Sequence, residues 1–342
     1  MKLLIYVPLI SPRIKYIFSF IFNDILRTEI DFTINKEEFL QSNQPKMSYS
    51  EQPIGNELFF KSKHLLFEHK ILAQQIRTTD FGEMKVPFSV SKSTLPFDVF
   101  TASFYFLSRY EEYIHHEKKN SESYTFKDSL QYQLKLLKIP IIDNWALILK
   151  NILLKRFPDL TFGGKQFSFK AVFINHLQKK QKKNFIINTT TYIKAVIGNK
   201  LHSKKDKIAT VKQIINHNNG FSHMLPDHDI SLNNNQHLIA QSQIPKSYIK
   251  LIKNTATSDY SMFYPDFSGF RAGTCTSFYW YDLQLEKKTR LLLHPVVATD
   301  LNLLKNKTPE ALLLQMNELV SSAKLVNGDL YFLSLSNDIQ PQ

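Results

Sequence analysis

Arg271 is the residue whose surroundings most suggest chemistry. It lies between Gly269 and Gly273, within the aromatic-rich segment 258–283 that also holds the only cysteine, Cys275. Glycine lets the backbone turn tightly, and surrounding aromatic rings would shield a guanidinium from water. The segment therefore presents a fixed cation to a ligand, or it forms a hydrophobic hairpin whose arginine pairs with a core carboxylate. The sequence leaves both interpretations open.

A second group of chemically capable residues follows Gly220. His223, Asp227 and His228 lie close together around Pro226, which favours a loop. Two histidines and a carboxylate could hold zinc if they converged to about 2.0–2.2 Å from one ion. Short clusters of His and Asp are also common in polar loops, so these three residues are weak metal candidates.

Arg109, Glu111 and Glu112 form a third charged group. Neighbouring carboxylates can serve as general acid and base. Consecutive positions on a helix point in different directions, however, so a salt-bridge cluster at the surface or between domains is the favoured interpretation.

The elements that must position these groups can be read from hydrophobic periodicity. The pattern predicts an α/β or α+β N-terminal domain over residues 1–164 and a second domain over 165–342, divided at Gly163 and Gly164. The predicted strands are 3–7, 30–34, 46–49, 57–60, 71–76, 167–176 and 330–335, and the clearest predicted helices are 13–26, 97–116 and 311–326. Asp98 is placed to cap or begin the helix over 97–116.

Composition narrows the class of protein. The net charge of +13 is compatible with binding to nucleic acid. Most of the basic residues are lysine, however, whereas phosphate recognition favours the planar guanidinium of arginine. Because Asn and Ile are also abundant, we attribute the high lysine content to codon bias in an AT-rich genome. A single cysteine excludes an intrachain disulfide and a cysteine-based zinc site. The sequence predicts no membrane span, and the N-terminal apolar run is interrupted by Pro8 and Pro12, so we expect a cytoplasmic protein. Nucleic acid is not an expected partner.

Several segments resemble, in order, one known family. They are LPFDVFTASFYFLSRYEEY at 95–113, PIIDNW at 140–145, NNNQHLIAQSQIPKSYIKLI at 233–252 and GFRAGTC at 269–275. Together with the N-terminal strand and helix, they are similar to the bacterial polysaccharide deacetylase family. More narrowly, they resemble a Bacteroidetes-type subgroup in which an N-terminal domain of unknown function precedes the deacetylase domain. The resemblance implies an N-terminal α/β domain followed by a distorted β/α barrel, here truncated because the interval 175–223 is short.

The resemblance also implies where catalytic residues should lie. Family members hold a metal with one Asp and two His, and use a further Asp as base and a late His as acid. In this chain Phe173 and Asn175 occupy the Asp-x-Asp positions, and Ser336 occupies the position of the terminal His. None of these three can perform the original role, so no catalytic residue is assigned.

Three functions follow as hypotheses. The favoured one is a catalytically inactive deacetylase-like protein without a cofactor, which keeps a carbohydrate or protein surface around the ligand-binding candidates Arg271, Trp280, Tyr281 and Asp300. The first alternative is an active zinc-dependent deacetylase or amidohydrolase with a rearranged site. The second is a basic module that binds nucleic acid or anionic glycan through 179–183 and 204–207.

Overall fold

The computed structural model describes residues 1–118, 124–174, 201–218, 221–225, 244–305 and 308–335. These ranges contain thirteen strands and ten α-helices. No helix in the described ranges is both long enough and apolar enough to cross a membrane.

The first sheet is entirely parallel, with the strand order β2-β1-β3-β4. Its strands are β1 (Leu3–Tyr6), β2 (Ile30–Thr33), β3 (Lys46–Ser50) and β4 (Leu58–Lys61). These agree with the first four predicted strands. Successive residues of β1 point to opposite faces, so Leu3 and Ile5 enter the main core while Leu4 and Tyr6 contact Phe39 on the other side.

Helices cover both faces of this sheet. Helix α1 (Pro12–Phe18) begins at Ser11, whose hydroxyl accepts from the Ile14 N–H, and continues as a π-helix over Ser19–Ile25. Helix α2 (Lys36–Gln41) supplies Phe39 to the opposite face. The helix predicted over 13–26 is therefore present, although its second half is wound as a π-helix.

The single helix predicted over 97–116 is two helices, so that prediction was wrong. Helix α3 (Val99–Leu107) ends at Ser108, and α4 (Tyr110–Lys118) begins after Arg109, whose φ is 56°. A positive φ cannot continue a right-handed helix. Asp98 does cap α3, because its carboxylate accepts from the N–H groups of Phe100 and Thr101.

The strand predicted over 71–76 was also wrong. The chain there is irregular, and an antiparallel hairpin follows instead, formed by β5 (Thr78–Phe81) and β6 (Met84–Pro87). Two helices then lead towards the second half, α5 (Leu130–Gln133) and α6 (Ile141–Arg156).

The second sheet is likewise parallel, in the order β12-β13-β7-β8. Its strands are β7 (Ser168–Ile174), β8 (Phe221–Leu225), β12 (Val296–Thr299) and β13 (Asp329–Ser334). Helices α7 (Leu201–His217) and α10 (Pro309–Leu325) pack on one face, and Tyr260 and Phe263 cover the other. The short helix α9 (Asp300–Leu303) follows β12.

A small third sheet and helix α8 (Lys246–Lys253) complete the described structure. The sheet has the order β10-β11-β9, with β9 (Ser258–Asp259), β10 (Phe278–Asp282) and β11 (Lys287–Leu293). Side chains of α8, β10 and β11 enter the same apolar core as β1, α1 and α3. The protein is thus a mixed α/β structure with parallel sheets and flanking helices, as predicted, and no closed barrel forms among the strands described.

Candidate functional site

Arg271 is buried and paired with a carboxylate. The chain near it turns at Gly273, whose φ is +70°, and Gly269 lies against the Leu137 carbonyl. The Arg271 Nη2 lies 2.7 Å from Glu112 Oε2, its Nε lies 3.1 Å from Glu112 Oε1, and its Nη1 donates to the Phe263 carbonyl. Of the two interpretations, the structure shows the arginine paired with a core carboxylate.

A second arginine completes this network. Arg109 Nε lies 2.8 Å from Glu112 Oε1, and its other nitrogens donate to Gln131, the Arg271 carbonyl and the Tyr264 hydroxyl. Glu112 therefore lies between two guanidinium groups. Burial raises the pKa of Glu112, but the positive charges of Arg271 and Arg109 outweigh this and lower it below its usual value. The cluster predicted at 109–112 is buried rather than solvated, and it joins the first predicted domain to Arg271 of the second, as the domain-joining alternative expected.

Trp280 and Tyr281 lie in the same core. Trp280 is 2% exposed and its ring lies against Tyr248, while Tyr281 is 1% exposed and donates to Glu286. The ring of Tyr281 also contacts Tyr16, with centroids 4.8 Å apart. Neither side chain reaches solvent as it stands, and their assignment as ligand-binding residues stays a prediction.

The carboxyl edge of the second sheet carries two of the positions that the sequence analysis singled out, Phe173 and Asp300. Phe173 pairs with Ser334 near the ends of β7 and β13, and is 2% exposed in the apolar core. Asp300 begins α9 at the end of β12, is fully buried, and accepts from the Leu335 N–H and the Ser334 hydroxyl. At this edge a phenyl ring fills the core and a carboxylate holds the end of β13.

The remaining predicted residues fall largely outside the described ranges. Asn175, Asp227, His228 and Ser336 are among the residues that the structure does not describe. His223 belongs to β8, where it is the register partner of Val172. No group of three potential metal ligands occurs among the described residues.

Sequence reasoning missed a polar cluster around His294. Its Nδ1 lies 2.9 Å from the Ser277 hydroxyl and its Nε2 lies 2.8 Å from the Ser258 hydroxyl, while the ring stacks on Tyr260. The Tyr331 hydroxyl lies 3.2 Å from Nδ1. A serine beside histidine is the geometry of an activated nucleophile, but here each ring nitrogen of His294 already lies within hydrogen-bond distance of a serine hydroxyl. The cluster ties the end of β11 to β9, to the residue before β10 and to β13.

Cys275 is also structural. Its Sγ lies 2.0 Å from the position that a Cβ at Gly328 would take, so the thiol fills a tight space. Burial raises the pKa of the thiol well above its usual value, and the carboxylate of Asp143 raises it further. Asp143 itself accepts from the hydroxyls of Thr274 and Thr276. A thiol held neutral in this way is not a reactive nucleophile.

Comparison with known proteins gives one match. Residues 3–158 match the model of a family described as a family of unknown function, DUF7033. No curated protein and no solved structure matches the chain. The match covers the first sheet and the helices up to α6, and it is in keeping with the expected N-terminal domain of unknown function. The resemblance of the second half to polysaccharide deacetylases stays a prediction.

Proposed function

We propose that this chain is a polysaccharide deacetylase-like protein that acts by binding rather than by hydrolysis. The observation that carries this proposal is the carboxyl edge of the second sheet. Phe173 there packs into the core, and both oxygens of Asp300 accept hydrogen bonds from the end of β13. Parallel α/β sheets usually keep their chemistry at this edge.

Metal-assisted deacetylation requires groups that the described edge does not present. The reaction needs an ion to lower the pKa of a water, a base to take its proton and an acid to protonate the leaving group. Phe173 can neither bind an ion nor accept a proton. Asp300 is committed to Ser334 and Leu335, and moving it towards an ion would leave the buried Leu335 N–H without this acceptor.

Arg271 does not replace these groups. Its charge is neutralised by Glu112 at 2.7 Å, so stabilising an oxyanion would require breaking a buried ion pair. The guanidinium supports the loop that carries Phe263 and Tyr264, which it contacts through the Phe263 carbonyl and the Tyr264 ring. We therefore assign it a structural role.

The decisive experiment measures bound metal and acetyl release on the same sample. The full chain would be exposed to zinc, freed of excess ion and examined by elemental analysis, then incubated with acetylated glycans. We expect well under one equivalent of zinc and no acetate above the level of a heat-denatured sample. About one equivalent of zinc, lost in a His223→Ala/His228→Ala variant and accompanied by acetate release, would establish the zinc enzyme with a rearranged site instead.

A further inference from the structure

The first sheet has a cavity at its carboxyl edge. Its volume is about 440 Å³, within the range of roughly 300–1,000 Å³ that is usual for small-molecule sites. Tyr6, Ser50 and Ser62 line it at the ends of β1, β3 and β4, and loop residues such as Gln52 and Phe67 complete its walls. The cavity thus lies where three parallel strands end together.

The strand order makes this the expected position for a ligand. The chain passes from β1 to β2 on one side of β1, then crosses to β3 on the other side. The connections that follow β1 and β3 therefore run in opposite directions, and this leaves a crevice between the carboxyl ends of these two strands. The cavity is lined by Tyr6 of β1 and Ser50 of β3, the two strands that flank the crevice.

One wall is held rigidly by buried groups from elsewhere. The turn His64–Phe67 receives a hydrogen bond from the Ser11 hydroxyl to the Leu66 carbonyl, and one from Arg13 Nη1 to the Leu65 carbonyl. Asp98 accepts from the Lys63 N–H just before the turn, at 2.6 Å. Three polar side chains therefore fix this wall before any ligand arrives.

A second part of the cavity lining, the loop after β3, is held by Glu57. Its carboxylate accepts from the Ile54 N–H at 2.9 Å, the Gly55 N–H at 2.7 Å and the Ser48 hydroxyl. The loop that follows β3 is also closed by the Ser50 hydroxyl, which donates to the Gln52 carbonyl at 2.7 Å. A wall organised in this way loses little entropy when it binds a ligand.

The buried polar residues that line the cavity are uncharged. Tyr6, Ser50 and Ser62 are 5–6% exposed, and the Ser62 hydroxyl has no hydrogen-bond partner among the described residues. The charged lining residues Lys36 and Glu51 are exposed, as is His64. A charged ligand would lose its hydration without meeting a buried opposite charge, whereas hydroxyl groups can exchange donors and acceptors with serine and tyrosine.

From these observations we infer that the cavity binds an uncharged, hydroxyl-rich small molecule of disaccharide size or smaller. Such a molecule would lay an apolar face on Phe67 and Pro53, which also line the cavity. The Ser62 hydroxyl is shielded from water, so a small shift of the lining would bring a ligand hydroxyl to it as a partner. The inference goes beyond the proposed function, because it concerns the first sheet and holds whether or not the second sheet catalyses a reaction.

The test uses the full chain with uncharged and charged probes. Glucose, N-acetylglucosamine and cellobiose would be compared with glucose 6-phosphate and glucuronate by saturation-transfer NMR and calorimetry. We expect at least one uncharged probe to bind with a Kd of about 1 mM or tighter, and each charged probe to bind more weakly than its uncharged counterpart. Failure of all uncharged probes, or equal binding of charged ones, would overturn the inference.

Two matched pairs of variants locate the site. Ser62→Ala removes the unpartnered hydroxyl and should weaken binding by about threefold to tenfold, while Ser103→Ala removes a buried, similarly unpartnered hydroxyl from α3 and should leave the Kd unchanged. Gln52→Trp on the exposed rim should abolish binding, and Leu314→Trp on exposed α10 should not. Binding that survives Gln52→Trp would place the ligand elsewhere and overturn the assignment.

Discussion

At the scale of single residues, Glu112 determines the stability of the buried ionic network. The residue is 4% exposed and forms ion pairs with two buried guanidinium groups, those of Arg109 and Arg271. Removing the shared carboxylate takes the ion-pair partner from buried Arg271 and leaves Arg109 with Glu111 alone, whose Oε1 lies 3.2 Å from Arg109 Nη2. Loss of a buried partner costs far more than breaking an exposed pair.

We therefore expect Glu112→Ala to lower the free energy of unfolding by about 3–5 kcal/mol. Urea denaturation measures this directly. The matched control is Glu318→Ala, which removes the partner of Lys138 from a pair whose side chains are 40% and 47% exposed. That control should cost less than about 1 kcal/mol, and an equal cost for both variants would contradict the argument from burial.

The stabilisation contributed by the Glu112 carboxylate should also decrease as the pH is lowered. The pKa of Glu112 is lower in the folded protein than its unfolded value of about 4.3. The stabilisation is then fully present above the unfolded pKa and is lost as pH falls through the folded pKa. The difference in stability between wild type and Glu112→Ala should therefore shrink when the titration is repeated near pH 3.

At the scale of elements, the Gly269–Gly273 segment shows how closely two parts of the chain approach. A Cβ at Gly269 would lie 2.5 Å from the Leu137 carbonyl oxygen, which already accepts from the Phe270 N–H at 2.7 Å. The carbonyl cannot move away without losing that hydrogen bond. The segment therefore docks on the connection between α5 and α6 only because this position has no side chain.

Gly269→Ala should accordingly destabilise the protein by about 1–3 kcal/mol, as overpacking usually does. Gly164→Ala is the matched control, because no atom lies within 4 Å of its added Cβ. There the loss of unfolded-state entropy should stabilise the fold by about 0.4–1 kcal/mol. Thermal melts of both variants beside wild type give the comparison, and two shifts of the same sign would refute it.

The elements that the sequence predicted well are those with local signals. The strands of the first sheet follow from short β-rich runs, and the start of α3 follows from Asp98. The break at Arg109 has no such signal, because nothing in the local sequence indicates a positive φ at an arginine whose side chain bonds Glu112 and the distant Gln131.

The candidate sites were predictable only in part for the same reason. Isolation of Arg271 between glycines correctly indicated a buried cation, but its partner lies 159 residues away in the sequence. The cavity of the first sheet depends on strand order and on three loops meeting, neither of which hydrophobic periodicity can supply.

At the scale of the whole molecule, the two halves of the chain share one apolar core. Tyr248, Trp280 and Tyr281 pack with residues of the first sheet and its helices, and Arg13 is paired with Glu286. Arg13 is itself fully buried. Its guanidinium thus joins the turn after β10 to the wall of the cavity, which it also supports.

A fragment containing only residues 1–164 should therefore not fold cooperatively. It would expose the apolar surface that α8, β10 and β11 cover, and leave Arg13 buried without its carboxylate. We expect dye binding typical of exposed apolar surface and no sharp urea transition, measured beside the full chain. A cooperative transition in the fragment would show instead that the predicted boundary at residue 164 separates independent domains.

The placement of the two tryptophans decides which optical signals can follow unfolding. Trp145 and Trp280 are 1% and 2% exposed and both belong to the core around the first sheet, while the core on the helical face of the second sheet contains none. Intrinsic fluorescence excited at the indole band therefore reports directly on one core. Far-ultraviolet circular dichroism reports on the helices around both cores. Transitions that coincide in the two signals would mean that the cores melt as one unit, and a separation would reveal an intermediate in which one core survives.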